Sequence, residues 1–272
     1  MSLKLHFSKM NGAGNDFVVF DNRDLKTTLS TEQIAFLCHR QFGVGADGLL
    51  AVEPDTQGAD FRMRYYNADG GEAEMCGNGA RCFARYVRSL KSASASQVTF
   101  RTQAGLIEAE FHGEEISVQL TSPQGLKLNE SVALKDRSLI VHSLNTGVPH
   151  AVVFVEDLEK TPIVDWGSQL RYHPHFAPKG TNVNFVQVLN QNQIRVRTYE
   201  RGVEGETLAC GTGVTASAII AHLTHAVEKP VRVKVQGGDW LGVDFEKSGE
   251  SFSKVKLQGP AVVVFQGEIE IY

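Results

Sequence analysis

The chain has no apolar stretch approaching the roughly 18 residues of a bilayer-crossing helix, and its N-terminus shows no signal-peptide pattern. A cytoplasmic protein without a membrane partner is therefore expected. Cysteine is scarce, with four residues (Cys38, Cys76, Cys82 and Cys210) among 272. That is too few for a disulfide scaffold and no spacing matches a zinc knuckle, so reduced thiols and no metal site are expected. Charge of one sign is not in excess: 27 Lys and Arg stand against 31 Asp and Glu, for a net charge of -4. Such a balance leaves no electrostatic footprint for nucleic acid. Arg81, Arg85 and Arg88 do cluster, at spacings that suit the solvated side of a helix. A dinucleotide fingerprint is missing, and no lysine stands in a setting that singles it out for pyridoxal phosphate. No cofactor is expected.

What the chain does have is an internal repeat. Glu72, Cys76, Gly77, Gly79 and Ala84 recur 134 residues later as Glu206, Cys210, Gly211, Gly213 and Ala218. The same offset pairs Asn11 with Asn145, His39 with His173, Phe42 with Phe176 and Phe111 with Phe245. Val18-Val19-Phe20 and Gln124-Gly125 return as Val152-Val153-Phe154 and Gln258-Gly259. One stretch needs a different offset. Residues 61–66 and 194–199 alternate like half-buried strands, and their inward phases agree only at 133. Tyr66 then meets Tyr199 and Asn67 meets Glu200, and the turn Gly202-Val-Glu-Gly205 carries one extra residue that restores the register. Loops absorb insertions; strands do not.

Each half reads as strands, a Cys-Gly-x-Gly turn, a helix and further strands. After Cys76 the apolar residues Ala80, Phe83, Ala84, Val87 and Leu90 fall at helical spacing, and after Cys210 residues 214–223 are apolar nearly all round, as in a helix buried inside a sheet or barrel. Residues 98–101, 151–155, 231–235 and 262–265 are strand-like, residues 92–96 look like a surface loop, and residues 127–135 look like a linker. The expected fold is α/β (α+β): two pseudo-symmetric lobes, 1–130 and 131–272, each a curved, mostly antiparallel sheet or barrel around a central helix. The active site is expected in the cleft between them.

Cys-Gly-x-Gly at a helix head sets a thiol beside backbone N–H groups that the helix leaves without partners. Those donors and the helix dipole favour anions, so they favour a thiolate and can hold a substrate carboxylate. Inverting a stereocentre needs a base on one face and an acid on the other. A duplicated cysteine supplies that pair, one as thiolate and one as thiol. The carbanion formed from an amino acid needs strong stabilisation, part of which helix-terminal N–H groups give in a water-poor site. Cys38 and Cys82 read as small buried hydrophobes, and His39 and His173 as structural. For His150, just before a strand, the residues alone leave structural and functional roles open.

These motifs resemble the diaminopimelate epimerases along essentially the whole chain. The resemblance rests on Lys9-Met10, Gly14-Asn15-Asp16-Phe17, Gly43-Val-Gly45-Ala-Asp47, Asn67-Ala-Asp-Gly70 and Met75-Cys-Gly-Asn-Gly-Ala-Arg-Cys82. It continues through Gly147-Val-Pro-His150, Thr181-Asn-Val-Asn184, Tyr199-Glu-Arg-Gly202 and Glu206-Thr-Leu-Ala-Cys-Gly-Thr-Gly213. Proline racemases share both Cys-Gly-x-Gly elements but usually carry His where Asn78 stands. The resemblance implies epimerisation of LL-2,6-diaminopimelate to the meso form, with Cys76 and Cys210 as the acid/base pair and His150 and Glu200 tuning them. It also implies that Gly77, Asn78, Gly211 and Thr212 hold the reacting carboxylate, and that Asn15, Asn67, Asn182, Glu200 and Arg201 contact the substrate. Arg201 suits a bidentate grip on a distal carboxylate. The family further implies a homodimer, although Phe265 stands where some members use a tyrosine at that contact. Val148 and Gly48 replace an Asn and a Gln found in some members. Two alternatives remain: a related racemase or epimerase with another substrate, and a two-lobed amino-acid-binding protein without catalysis.

Overall fold

A computed structural model describes residues 3–92 and 94–271. The first repeat begins with β1 (Leu3–Gly12), β2 (Asn15–Asp21), α1 (Thr31–Cys38), β3 (Gly48–Glu53), β4 (Phe61–Asn67) and β5 (Glu72–Ala73). It continues with α2 (Gly77–Lys91), β6 (Gln97–Thr102), β7 (Gly105–His112), β8 (Glu115–Gln119) and β9 (Gln124–Ala133). The second repeats that order: β10 (Ser138–Asn145), β11 (Pro149–Phe154), α3 (Ile163–Arg171), β12 (Asn182–Val188), β13 (Gln193–Glu200) and β14 (Gly205–Thr207). Then come α4 (Gly211–His225), β15 (Val231–Lys234), β16 (Trp240–Ser248), β17 (Ser251–Pro260) and β18 (Val262–Ile271). A short 3-10 turn, Pro174–Phe176, follows α3.

Pairing within the repeats matches strand for strand. β2 with β3 and β4 with β6 run parallel, as do β11 with β12 and β13 with β15. Parallel neighbours need a crossover, and α1, α2, α3 and α4 supply the four. The other pairs here are antiparallel. The 133-residue offset in the fourth strand is visible in the ion pairs. Arg64 grips Glu72 with two bonds of 2.8 Å, and Arg197, 133 residues later, grips Glu206, 134 residues later, at 2.6 and 2.7 Å. Phe61 and Met63 are buried, as are Ile194 and Val196.

The chain packs as two compact units: residues up to Val118 with those from Gly259 onward, and Gln119–Gln258. The division therefore differs from a simple cut between 130 and 131. The ninth strand of each repeat is exchanged: β9 pairs with β10 in the second unit, and β18 pairs with β1 in the first. The expected linker at residues 127–135 is thus largely strand. Along β9 only Val132 is buried, so no apolar alternation marks it. Its backbone groups are nevertheless satisfied by the ladder with β10.

In the first unit α2 packs on β1, β2, β3, β4 and β6; in the second α4 packs on β10 to β13, β15 and β16. Burial of side chains such as Phe83, Val87, Ile219 and Ile220 is complete, each contributing about 1.5–3 kcal/mol. Arg81 corrects the expectation of a solvated arginine face. Its guanidinium is fully buried, bonded to Gly77 O, Asn78 Oδ1 and Pro260 O. Arg85 and Arg88 are half-buried, and Arg88 lies over the Phe111 ring at 4.5 Å. The loop expected at residues 92–96 follows α2 as non-helical chain, with Ala93 outside the described residues.

Candidate active site

Cys76 and Cys210 are each the N-cap of a 15-residue helix, with extended backbone at the cysteine (φ -137° and -120°) and glycine next. Neither makes a side-chain capping bond. Helical bonding begins with Ala80 N–H to Cys76 O and Val214 N–H to Cys210 O, both 2.8 Å. The first-turn N–H groups of Gly77, Asn78, Gly211 and Thr212 thus lie ahead of the helical ladder, where an anion is favoured.

In the first unit the Cys76 thiol donates to Asn15 Oδ1 at 3.5 Å. Asn78 Nδ2 donates to the same oxygen at 3.3 Å, and Asn15 Nδ2 donates to Asp47 Oδ2 at 2.7 Å. Behind Asn15, Asp16 meets Lys9 at 2.7 Å and Arg40 at 3.0 Å. Burial opposes ionisation of Asp16, but hydrogen bonds from Arg40 and Lys9 outweigh it and hold the carboxyl at about 2. Lys9 is itself buried and also donates to Gly45 O. Asn67 ends β4, accepting from Tyr65 Oη at 2.8 Å. It lies opposite Gly48, where a Cβ would press within 2.6 Å of Tyr66 O, so no side chain could stand at Gly48 unless that backbone moved.

In the second unit Cys210 Sγ lies 3.5 Å from Thr212 Oγ1, and His150 Nε2 lies 2.9 Å from that hydroxyl. Asn184 Nδ2 meets His150 Nδ1 at 3.1 Å. Burial, with the charge of Arg201 second, pushes the imidazole down to about 3, so the ring is neutral at neutral pH. Asn182 sits opposite His150 on the parallel neighbour strand. It accepts from Arg201 N–H at 2.9 Å and donates to Pro149 O at 3.2 Å. Glu200 accepts from Thr207 Oγ1 at 2.8 Å, and the half-buried Arg201 donates to Lys179 O at 3.3 Å.

Cys76, Gly77, Asn78 and Asn15 therefore converge in one unit. Cys210, Gly211, Thr212 and His150 converge in the other, with Asn182 and Arg201 held together on the neighbouring strands. Asn67 and Glu200 end matching strands. Burial pushes Cys38 and Cys82 up to about 12, as inert thiols require. His39 and His173 cap α1 and the 3-10 turn.

Sequence reasoning gave no role to Asn184, Asp47 or Arg81. Asn182 and Asn184 share one face of a mostly apolar strand, a period-two polar pair that was the available signal. Nothing local distinguishes Arg81 from Arg85 and Arg88. Among the described residues no group of three or more His, Cys, Asp or Glu could hold a metal ion, and no helix is long and apolar enough to cross a membrane.

The family model described as Diaminopimelate epimerase matches residues 7–125 and 142–264, a stretch on each repeat. The chain is 44% identical to the diaminopimelate epimerase of Aquifex aeolicus, over 97% of this chain and 98% of that one. It is 41% identical to that of Nitrosospira multiformis, over 99% of both. Among solved structures, the fold is similar to a hydroxyproline epimerase from Agrobacterium vitis (TM-score 0.73, 14% identity, 98% and 93% covered). It is also similar to a PhzF-family phenazine biosynthesis protein from Bacillus anthracis (TM-score 0.70, 19% identity, 100% and 99% covered). With a thiol repeated at the head of two matching helices and relatives aligned over nearly its full length, the chain belongs to the diaminopimelate epimerase family.

Proposed function

We propose that the protein is an isomerase converting LL-2,6-diaminopimelate to meso-2,6-diaminopimelate, with Cys76 and Cys210 as its two acid/base groups. The observation that carries the reading is the repeated N-cap cysteine. Each thiol heads a helix whose first-turn N–H groups suit a carboxylate, in a chain whose family acts on an amino acid. A thiolate takes the α-proton, the electron pair is delocalised into the α-carboxylate, and the other thiol returns a proton to the opposite face. Gly77 and Asn78 with Gly211 and Thr212 hold that carboxylate by backbone N–H groups, stabilising charge where it develops. Arg201, Asn182, Glu200, Asn15 and Asn67 bind the substrate, with Arg201 as the grip on the distal carboxylate. His150 and Glu200 tune the thiols.

A reducing cytoplasm suits an enzyme that works through two thiols. The exposed apolar run Val262, Val263, Val264 and Phe265 on β18 supports a homodimer, because contiguous apolar surface of this kind favours burial. The test follows LL-diaminopimelate in D2O by proton NMR with the reduced protein. Loss of the α-proton signal with appearance of the meso isomer is expected, and Cys76→Ser or Cys210→Ser should abolish turnover. Exchange undiminished in both variants would sink the two-thiol reading. Activity confined to another amino acid would replace the substrate.

A further inference from the structure

We infer that the hydrogen-bond networks behind the two cysteines run with opposite polarity, so that the substrate-free enzyme rests with Cys210 as thiolate and Cys76 as thiol, and that Asn184 and Asp47 are the positioning residues that set this. The inference rests on the two-thiol reading above. It adds which group begins as base and what fixes the choice.

The second unit supplies a chain of donors. Asn184 is fully buried. Its Nδ2 lies 3.1 Å from the Ala151 carbonyl, which can only accept, while its Oδ1 takes the Thr198 hydroxyl at 3.0 Å. The amide is thereby fixed with its nitrogen towards His150 Nδ1, which must accept. A neutral imidazole accepting at Nδ1 carries its proton on Nε2. Nε2–H then donates to Thr212 Oγ1. Thr146 Oγ1 binds the Thr212 carbonyl at 2.8 Å, which steadies the first turn. With Oγ1 already accepting from the ring, the Thr212 hydroxyl proton is available to Cys210 Sγ at 3.5 Å. A donor aimed at sulfur favours the thiolate.

The first unit supplies the reverse. Arg81, which can only donate, holds Asn78 Oδ1 at 3.0 Å, so Asn78 presents its Nδ2 to Asn15 Oδ1. Asp47, accepting as a carboxylate, holds Asn15 Nδ2 at the other end. Both constraints turn the Asn15 carbonyl oxygen towards Cys76, and an acceptor 3.5 Å from sulfur favours the protonated thiol. Arg201 and Glu200 bring opposite charges to the second unit, and Asp16 and Asp47 in the first are countered by Lys9 and Arg40. Both cysteines share the same helix-head position, and Asn15 and Thr212 meet them in opposite senses.

The experiment labels the reduced, substrate-free protein with limiting iodoacetamide at neutral pH and follows the Cys76 and Cys210 peptides by mass spectrometry. Accessibility alone predicts Cys76 first, because it is half-buried while Cys210 is 8% exposed. The expected result is the reverse, with Cys210 labelled at least about fivefold faster. Thr212→Val should slow Cys210 roughly tenfold and leave Cys76 unchanged, and Thr212→Ser should keep the wild-type rate. Asn184→Asp should also slow Cys210, because a carboxylate facing Nδ1 draws the ring proton to that side and turns the Thr212 hydroxyl towards Nε2. The Cys76 rate reports folding in each variant. Faster labelling of Cys76 in the wild type, or an unchanged ratio in Thr212→Val, would overturn the inference. Persistence of α-proton exchange in the serine variants would instead remove the two-thiol reading while leaving the labelling order valid.

Discussion

Gly79 and Gly213 occupy the same place in the two Cys-Gly-x-Gly turns, yet they differ in what a methyl group would meet. A Cβ on Gly79 would sit 3.4 Å from the Phe17 ring and 3.5 Å from Cys76 Cβ, ordinary contacts. A Cβ on Gly213 would overlap Asn184 Oδ1 and approach Asn184 Cγ to 3.2 Å and His150 Cε1 to 3.3 Å. Relief requires the Asn184 amide to move by about an ångström, which breaks its bonds to Thr198, Ala151 and His150 together. Overpacking costs about 1–3 kcal/mol, and each buried polar group left without a partner costs about 1–3 kcal/mol more. Gly213→Ala should therefore lose roughly 2–6 kcal/mol and lower Tm by roughly 5–20 °C. Gly79→Ala should be neutral or gain up to about 1 kcal/mol from helix propensity. Thermal and urea unfolding measure stability, and α-proton exchange in D2O measures turnover, which should fall at least tenfold in Gly213→Ala alone. Equal stability and turnover in the two variants would refute the claim that α4 must approach the Asn184–His150 pair without a side chain between them.

Other outcomes follow from single groups. His150 takes its proton near 6.5 when unfolded and near 3 when folded, so between those values the unfolded chain binds the extra proton and stability falls as pH falls. His150→Gln should show a shallower loss over that window in urea titrations at stepped pH. Arg81→Met keeps the volume but removes three hydrogen bonds, so unfolding curves should show a loss of about 2–4 kcal/mol. Arg201→Lys keeps the charge without the bidentate fork, so KM for diaminopimelate should rise by roughly tenfold or more while Tm stays within a few degrees.

The two helices were legible because the Cys-Gly-x-Gly turns start them and the offset of 134 carries through to α2 and α4 in full. The shifted register of the fourth strand was legible because a one-residue slip would have reversed its inward phase. β9 was not, because a ladder forms through backbone groups and needs no apolar face. Asn15 and His150 stand in recognisable motifs, but what turns them does not. The orientation of Asn15 depends on Asp47, 32 residues away, and that of His150 on Asn184 across a parallel strand pair. Arg81 reads as one of three similar arginines until its bond to Pro260, 179 residues on, is seen. Pairings at that range leave no periodic trace in the chain.

The exchange of the ninth strands gives the molecule an order of assembly. The second unit is one continuous stretch, Gln119–Gln258, and can close as soon as that stretch has left the ribosome. The first cannot. Its strand β1 pairs with β18 from Leu3↔Ile271 to Asn11↔Val262, so a strand made before the second unit waits for one made after it, holding an unsatisfied edge meanwhile. Cutting the gene between the repeats would leave each fragment holding a strand that belongs to the other, whereas moving the last strand ahead of the first would let the slower unit fold as it emerges.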